Sequence, residues 1–223
     1  MTAFLFSCEN ATCAVPEAYK EFFRGAEVTV TSAEGWEPGA LSLGQAFAMK
    51  FSSQLVYGEM TRLLIDLEQE GEARWSEISR RLPEQMRPKL VERVESPYRA
   101  NLRQRIGDRM IRSKPTIHVF VHTGTAMDGE IRLETPANDG FAEQMAERWY
   151  GKLGAQIEKV HYRRNCGETP LSQSLRAEFP HENYGQIRLS VSQSFFLENQ
   201  PIRWEILKKM LCESLATSAS ELD

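Results

Sequence analysis

The chain interleaves short, wholly apolar runs with segments whose apolar residues recur every four positions, the pattern of strands alternating with helices. Ala3 to Ser7 (AFLFS) is apolar almost throughout and stops at Cys8, Glu9 and Asn10, which predicts a buried first strand ending in a loop. Pro16 opens and Gly25 closes a predicted helix, PEAYKEFFRG, because proline suits a helix start and glycine its end. Val28 and Val30, alternating with Thr29 and Thr31, predict a short second strand. Beyond Glu37-Pro38-Gly39, the residues Leu43, Phe47, Phe51 and Leu55 form an amphipathic stripe and predict a long helix. Met60 to Leu67 (MTRLLIDL) reads as a strand from its apolar centre.

Further on, Ile117 to His122 (IHVFVH) is the clearest strand, with His118, Phe120 and His122 on one face and Val119 and Val121 on the other. Phe141, Met145, Trp149 and Leu153 predict a helix over 139–153, and Gln156 to Tyr162 a strand. Thr169-Pro170 is an N-cap followed by proline at the first helical position, which opens a helix to about Phe179. Ile187 to Phe196 alternates apolar and polar residues; Pro201 then starts a C-terminal helix to about Leu215, with a frayed tail beyond it. This order predicts an α/β fold, a mostly parallel or mixed central sheet with helices on both faces.

Composition narrows the function classes. At 223 residues the chain fits one domain spanning 1–223. A net charge of −4 gives no global reason to expect nucleic acid or an anionic membrane as partner. The N-terminus lacks the basic flank and long apolar core of a signal peptide, and no stretch approaches a membrane span, so the expected compartment is the cytoplasm. Cys8, Cys13, Cys166 and Cys212 show no metal-type spacing and read as reduced thiols. The balance is uneven along the chain: between Arg74 and Lys114 there are twelve Lys or Arg against five acids. Pro83, Pro88 and Pro97 punctuate this stretch, and Tyr98, Leu102, Ile106 and Met110 keep helical spacing. It reads as a basic helical insertion at about 72–114, either with a merely solvated face or as a lip that draws an anionic ligand.

Candidate chemistry follows from the strand ends, where open α/β sheets bind ligands. If the strands ending at Cys8 and His122 are parallel neighbours, Glu9, Asn10 and His122 meet in one crevice. A carboxylate and an imidazole there could hold zinc with an open position for water. His118 lies deeper on the same face and reads as a core histidine; His161 and His181 have no partner at ligand spacing. Cys8 near His122 could alternatively serve as a thiol nucleophile, if its pKa were lowered.

Several stretches, in order, resemble the N-formylglutamate amidohydrolase family, whose fold is similar to that of zinc carboxypeptidases. FLFSCENATCAVP is similar to a strand followed by Glu-His, a small polar loop and proline, and AEGWEPGAL to His-x-Gly-aromatic-Asp-x-Gly-Ala. TRLLIDLEQ resembles Arg-Leu-x-x-Asp-x-Asn-Arg, and HVFVHTGTAMDGEIR a strand ending in His-Ser-Phe-Thr before a glycine turn. RRNCGET and IRLSVSQSFF are similar to an Asn-Glu-Pro-Tyr stretch and a Glu-x-Asn-Gln strand.

This resemblance implies a metal-dependent hydrolase that cleaves the amide bond of an N-acyl amino acid or similar small anion, with zinc as cofactor. The implied metal positions are Glu9, Asn10 and His122, with Asn10 standing where the family has histidine. Ala33 replaces a second histidine, and Glu37 keeps a carboxylate at a catalytic or metal position. Ser190 stands at the catalytic glutamate of the closing strand. Arg62, Asp66, Arg132 and Asn165 are the implied substrate contacts, while Glu68 and Gln69 replace the family's asparagine and arginine. An amide is a poorer zinc ligand than imidazole, and a serine cannot act as a base near pH 7. The alternative is therefore a catalytically impaired member that binds a small anion or a protein partner.

Overall fold

A computed structural model describes residues 2–112, 115–127, 129–179, 182–197 and 201–222. His181 and Lys114 lie outside the described residues. The six strands are β1 (Ala3–Cys8), β2 (Leu55–Tyr57), β3 (Thr116–Gly124), β4 (Ile131–Thr135), β5 (Val160–Arg164) and β6 (Tyr184–Ser192). The helices are α1 (Glu27–Thr31), α2 (Ala40–Lys50), α3 (Glu77–Arg80), α4 (Met86–Leu90), α5 (Ser96–Arg112), α6 (Gly140–Gly154), α7 (Pro170–Glu178), α8 (Ser194–Leu197) and α9 (Pro201–Ser220).

The strands form one mixed sheet in the order β2-β1-β3-β6-β4-β5. β1 pairs in parallel with β2 and β3, and β3 with β6. β4 runs antiparallel to β6 and carries β5 parallel to itself, so those two strands point the other way. One face is sealed by α2, α6 and α9: Phe6, Val119, Val121, Ile187 and Leu189 pack with Phe47, Met145, Trp149, Leu211 and Leu215. On the other face Leu5, Phe120 and Tyr184 pack with Tyr98, Leu102 and Ile106 of α5 and with Leu171 and Leu175 of α7. A sheet covered on both faces needs near-continuous apolar strands, and that is why β1 and β3 read so clearly.

The helix ends follow local chemistry. The Asp139 carboxylate accepts from the Ala142 amide at 3.1 Å and starts α6. Thr169 and Ser172 form a reciprocal capping box ahead of Pro170 in α7. Pro97 does not break its helix: a π turn over Val91–Glu95 joins α4 to α5 where the proline lacks a backbone donor.

Four expectations are corrected. Val28 and Val30 lie in the short helix α1, with Val30 buried and Val28 in solvent, because two alternating pairs give too little surface for a strand. The stripe from Leu43 spans two elements: α2 ends at Lys50, and Leu55 begins β2 opposite Phe6. Met60 to Leu67 is a series of turns whose backbone bonds go to other loops, the Thr61 amide to Ala14 O at 2.9 Å and the Arg62 amide to Gly35 O at 3.1 Å. The chain end is less frayed than expected, since α9 continues to Ser220 with Ser218 and Ala219 buried.

Candidate metal centre

Six loops and strand segments converge at the C-terminal ends of β1 and β3. Glu9 and Asn10 follow β1 directly, and His122 sits near the end of β3. The Glu37 amide donates to Asn10 O at 2.8 Å, which holds the loop before α2 against them. Gly58, just past β2, donates to Cys8 O at 3.0 Å, and a Cβ at that position would lie 2.0 Å from Glu9 O. Only glycine allows the backbones to approach so closely. Glu68 arrives from the turn after Ile65, and Arg188 from the same face of β6 as Ser190.

His122 is fully enclosed and ringed by carboxylates. Its Nδ1 lies 3.0 Å from Glu37 Oε2, and its Nε2 lies 3.8 Å from Glu9 Oε2 and 3.6 Å from Glu68 Oε1. Glu9, Glu68 and His122 each present one ligand atom within 4.8 Å of the others, a group that could hold a metal ion. Among the described residues, Glu9 Oε2 and His122 Nε2 are buried without a hydrogen-bond partner, which is costly unless something occupies the space beside them. Tyr98 donates to Glu9 Oε1 at 2.8 Å, and Arg188 donates to Glu68 Oε1 at 2.6 Å.

The electrostatics follow from this ring. Burial and Arg188 oppose a charge on His122, but Glu37 and Glu68 push its imidazole above the ordinary value. Burial also works against the charge of Glu68, yet His122 and Arg188 hold its carboxyl down to about 2. Desolvation pushes Glu9 up, with His122 pulling it back. Burial, then the carboxylates of Glu37, Glu9 and Glu68, push the Cys8 thiol well up, so a Cys8 thiolate nucleophile has no support.

The candidate residues fall into three groups. Glu9 and His122 point their free atoms at one spot. Asn10 and Glu37 adjoin it in different parts from those expected. Asn10 Nδ2 donates to Glu37 Oε1 at 3.2 Å and to Glu68 Oε2 at 3.3 Å, so the amide is a strut between carboxylates. Glu37 orients His122 through Nδ1 and also accepts from the Thr123 amide at 3.3 Å, the second-layer arrangement typical of metal-bound histidine. The remaining residues stand further out. Arg62 is spent on structure, with contacts to Glu34 O at 2.9 Å, to Ala33 O and to Glu37. Asp66 accepts from the Glu68 amide at 3.0 Å, and burial, then Glu68, raise its carboxyl to about 6. Ser190 is level with His122 on one side and Arg132 on the other, on the crevice face. Asn165 is exposed in a turn with φ +58 past β5, which runs opposite to β1 and β3, so it lies away from their C-terminal ends.

Two contributors were not anticipated. Glu68 appears in the sequence only as a departure from the resembled asparagine, and Arg188 is one of many arginines until strand pairing places it. The even spacing of Arg188 and Ser190 on a strand was the signal available for the second.

The chain is thus a mixed α/β sheet with a carboxylate–imidazole cluster at the ends of its parallel strands. No family model and no curated protein matches the chain. Solved structures do match. A gene product of Agrobacterium tumefaciens is similar over 99% of this chain and 90% of its own, with TM-score 0.78 and 20% identity. The N-formylglutamate amidohydrolase of Ralstonia eutropha is similar over 97% of this chain and 93% of its own, with TM-score 0.64 and 15% identity. The resemblance drawn from the motifs thus extends to the whole fold.

Proposed function

We propose that this chain is a metal-dependent, N-formylglutamate amidohydrolase-like hydrolase acting on the amide bond of an N-acyl amino acid or similar small anion. One observation carries the reading: the buried, unpartnered Glu9 Oε2 and His122 Nε2 converge with Glu68 on a single point. One nitrogen and two carboxylate oxygens suit zinc, the expected ion. Glu9, Glu68 and His122 would hold it. When bound, such an ion polarises an amide carbonyl and makes water nucleophilic near pH 7. Glu37 fixes the tautomer that leaves Nε2 free, and loading requires His122 to give up its proton.

Arg132, whose Nη2 already bonds Glu130 Oε2 at 3.3 Å, is the residue we assign to a substrate carboxylate. It lies two strands from His122, about 10 Å away at ordinary strand spacing, with the small Ser190 between them. Its Nε is buried without a partner. A guanidinium there suits bidentate capture of a carboxylate. Arg62, already bonded through all three nitrogens, is a poorer candidate.

A second reading, an impaired member that keeps the crevice for binding, draws on Asn10 and Ser190. The amide of Asn10 braces two carboxylates where the resembled family has an imidazole, and Ser190 supplies no base. Metal analysis of chelator-free protein, a zinc-binding isotherm and formate release from N-formylglutamate separate the two. Stoichiometric zinc with zinc-dependent turnover supports the hydrolase. Zinc binding without turnover favours the second reading, and a folded chain that takes up no divalent ion overturns the metal centre altogether.

A further inference from the structure

We propose that Arg188 governs the metal affinity of this centre by competing with the cation for Glu68, an inference that rests on the metal-centre reading above. The three ligand groups are not equally available. Glu9 Oε2 and His122 Nε2 are unpartnered, whereas both oxygens of Glu68 are already taken. Arg188 Nη1 holds Oε1 at 2.6 Å, and Asn10 Nδ2 holds Oε2 at 3.3 Å. The first of these is a short charge-assisted bond between groups whose side chains are 21% and 8% exposed, so little water screens it.

A divalent ion placed among Glu9, Glu68 and His122 would share Glu68 Oε1 with a guanidinium a hydrogen-bond length away, and like charges at that separation repel strongly where solvent is excluded. Filling the site therefore requires Arg188 to let go of Glu68. The strand register offers it another carboxylate: Glu134 on β4 faces Arg188 directly across the antiparallel pair. Arg188 thus neutralises Glu68 from beside the ion's position in the metal-free chain, and the centre is intact but guarded. Arg188 acts through Glu68 and is a positioning residue.

The test compares zinc-binding isotherms of the full chain with those of Arg188→Met and Arg188→Lys. Freed from its partner, the buried Glu68 carboxylate is available to the ion, and Arg188→Met should bind zinc about tenfold more tightly or better. Arg188→Lys, a cation without the planar fork, should fall between the two. Added zinc should raise the melting temperature of Arg188→Met more than that of the unmodified chain, a readout independent of turnover. The gain should vanish when His122→Ala is combined with Arg188→Met; a gain that survives would place the ion elsewhere and overturn the proposal. Equal or weaker affinity in Arg188→Met, with zinc still bound by the unmodified chain, overturns the competition and leaves the metal centre standing. Absence of binding in all three proteins overturns both. If Arg188→Met does not fold, equal affinities of Arg188→Lys and the unmodified chain overturn the proposal.

Discussion

The Tyr98 hydroxyl donates to Glu9 Oε1 at 2.8 Å, so the helix that follows the π turn reaches directly into the strand-end cluster. Tyr98 is buried, and its ring packs with Leu102 and Ile106 in the apolar layer under the sheet. One side chain therefore belongs to the core at its ring and to the polar cluster at its tip. The neighbouring arginines serve the same anchoring. Arg99 bonds Glu95 at 2.8 Å and Glu70 at 2.9 Å, Arg74 pairs with Glu95, and Arg103 bonds Glu178 at 2.6 Å. Three of the twelve basic residues in this stretch are thus paired with acids of the fold.

Tyr98→Phe keeps the ring and removes only the donor. A buried carboxylate oxygen that loses its donor costs about 1–3 kcal/mol, so denaturant unfolding should show a loss of that order. Because partners behind a ligand tune its affinity by about 10–100-fold, zinc binding should weaken as well. Unchanged stability and unchanged zinc affinity would mean that the hydrogen bond does not position Glu9.

His118 offers a prediction about acid. Its Nδ1 and Nε2 lie 2.8 Å from Tyr184 OH and from Ser7 Oγ, deep under the sheet. Gln186 Nε2 donates to the same phenol at 3.1 Å, which leaves the phenol proton for Nδ1 and the Nε2 proton for Ser7. Burial lowers this imidazole to about 3, so it is neutral in the fold and protonates in the unfolded chain near its ordinary 6.5. The unfolded state then binds one more proton between those values. Stability from this residue is present above about pH 6.5 and is lost as pH falls toward 3, by about 1.4 kcal/mol per pH unit. In urea unfolding from about pH 7.5 to 4.5, the stability of the natural protein relative to His118→Gln should fall with that slope as pH drops. Parallel curves for the two proteins would refute the assignment.

The elements legible in the sequence were those where one physical signal acted alone. β1 and β3 are covered on both faces and read as apolar runs; α6 and α7 carry their own caps in Asp139 and Thr169. The signal failed where tertiary contacts decided. Leu55 continues a helical spacing by coincidence while pairing with Phe6 in the sheet, and Met60 to Leu67 satisfies its backbone through loops distant in sequence. β4 is only five residues long and escaped notice, and with it the reversal that carries Asn165 away from the site. For the cluster itself, strand-end reasoning places Glu9 and His122 at neighbouring parallel strands. Glu68 carries no local mark that distinguishes it from other charges until the fold brings it to the cluster, and for Arg188 the only local signal is its even spacing with Ser190.

The last prediction restores the two departures together, Asn10→His and Ser190→Glu. At Asn10 an imidazole could donate from one nitrogen to Glu37, as the amide does at 3.2 Å, and present the other to Glu9 and His122. It would also end the strut to Glu68 Oε2 and leave that oxygen for the ion. At Ser190 the strand register sets a new carboxylate beside His122, with Arg132 on the far side to offset its charge. Exchanging an amide for an imidazole favours zinc, and the affinity should rise by about 10–100-fold. A positioned general base contributes about 10²–10⁴-fold in rate, so formate release from N-formylglutamate should be faster by about that factor in the double variant than in the natural chain. The two effects are separable, since Asn10→His alone should tighten zinc and Ser190→Glu alone should change turnover only in metal-loaded protein. Robust zinc-dependent turnover by the natural chain would show that another residue already supplies the base, with Asp66, raised to about 6, the first to examine by Asp66→Asn. A folded double variant with no gain in zinc affinity would mean that Asn10 does not stand where a ligand belongs.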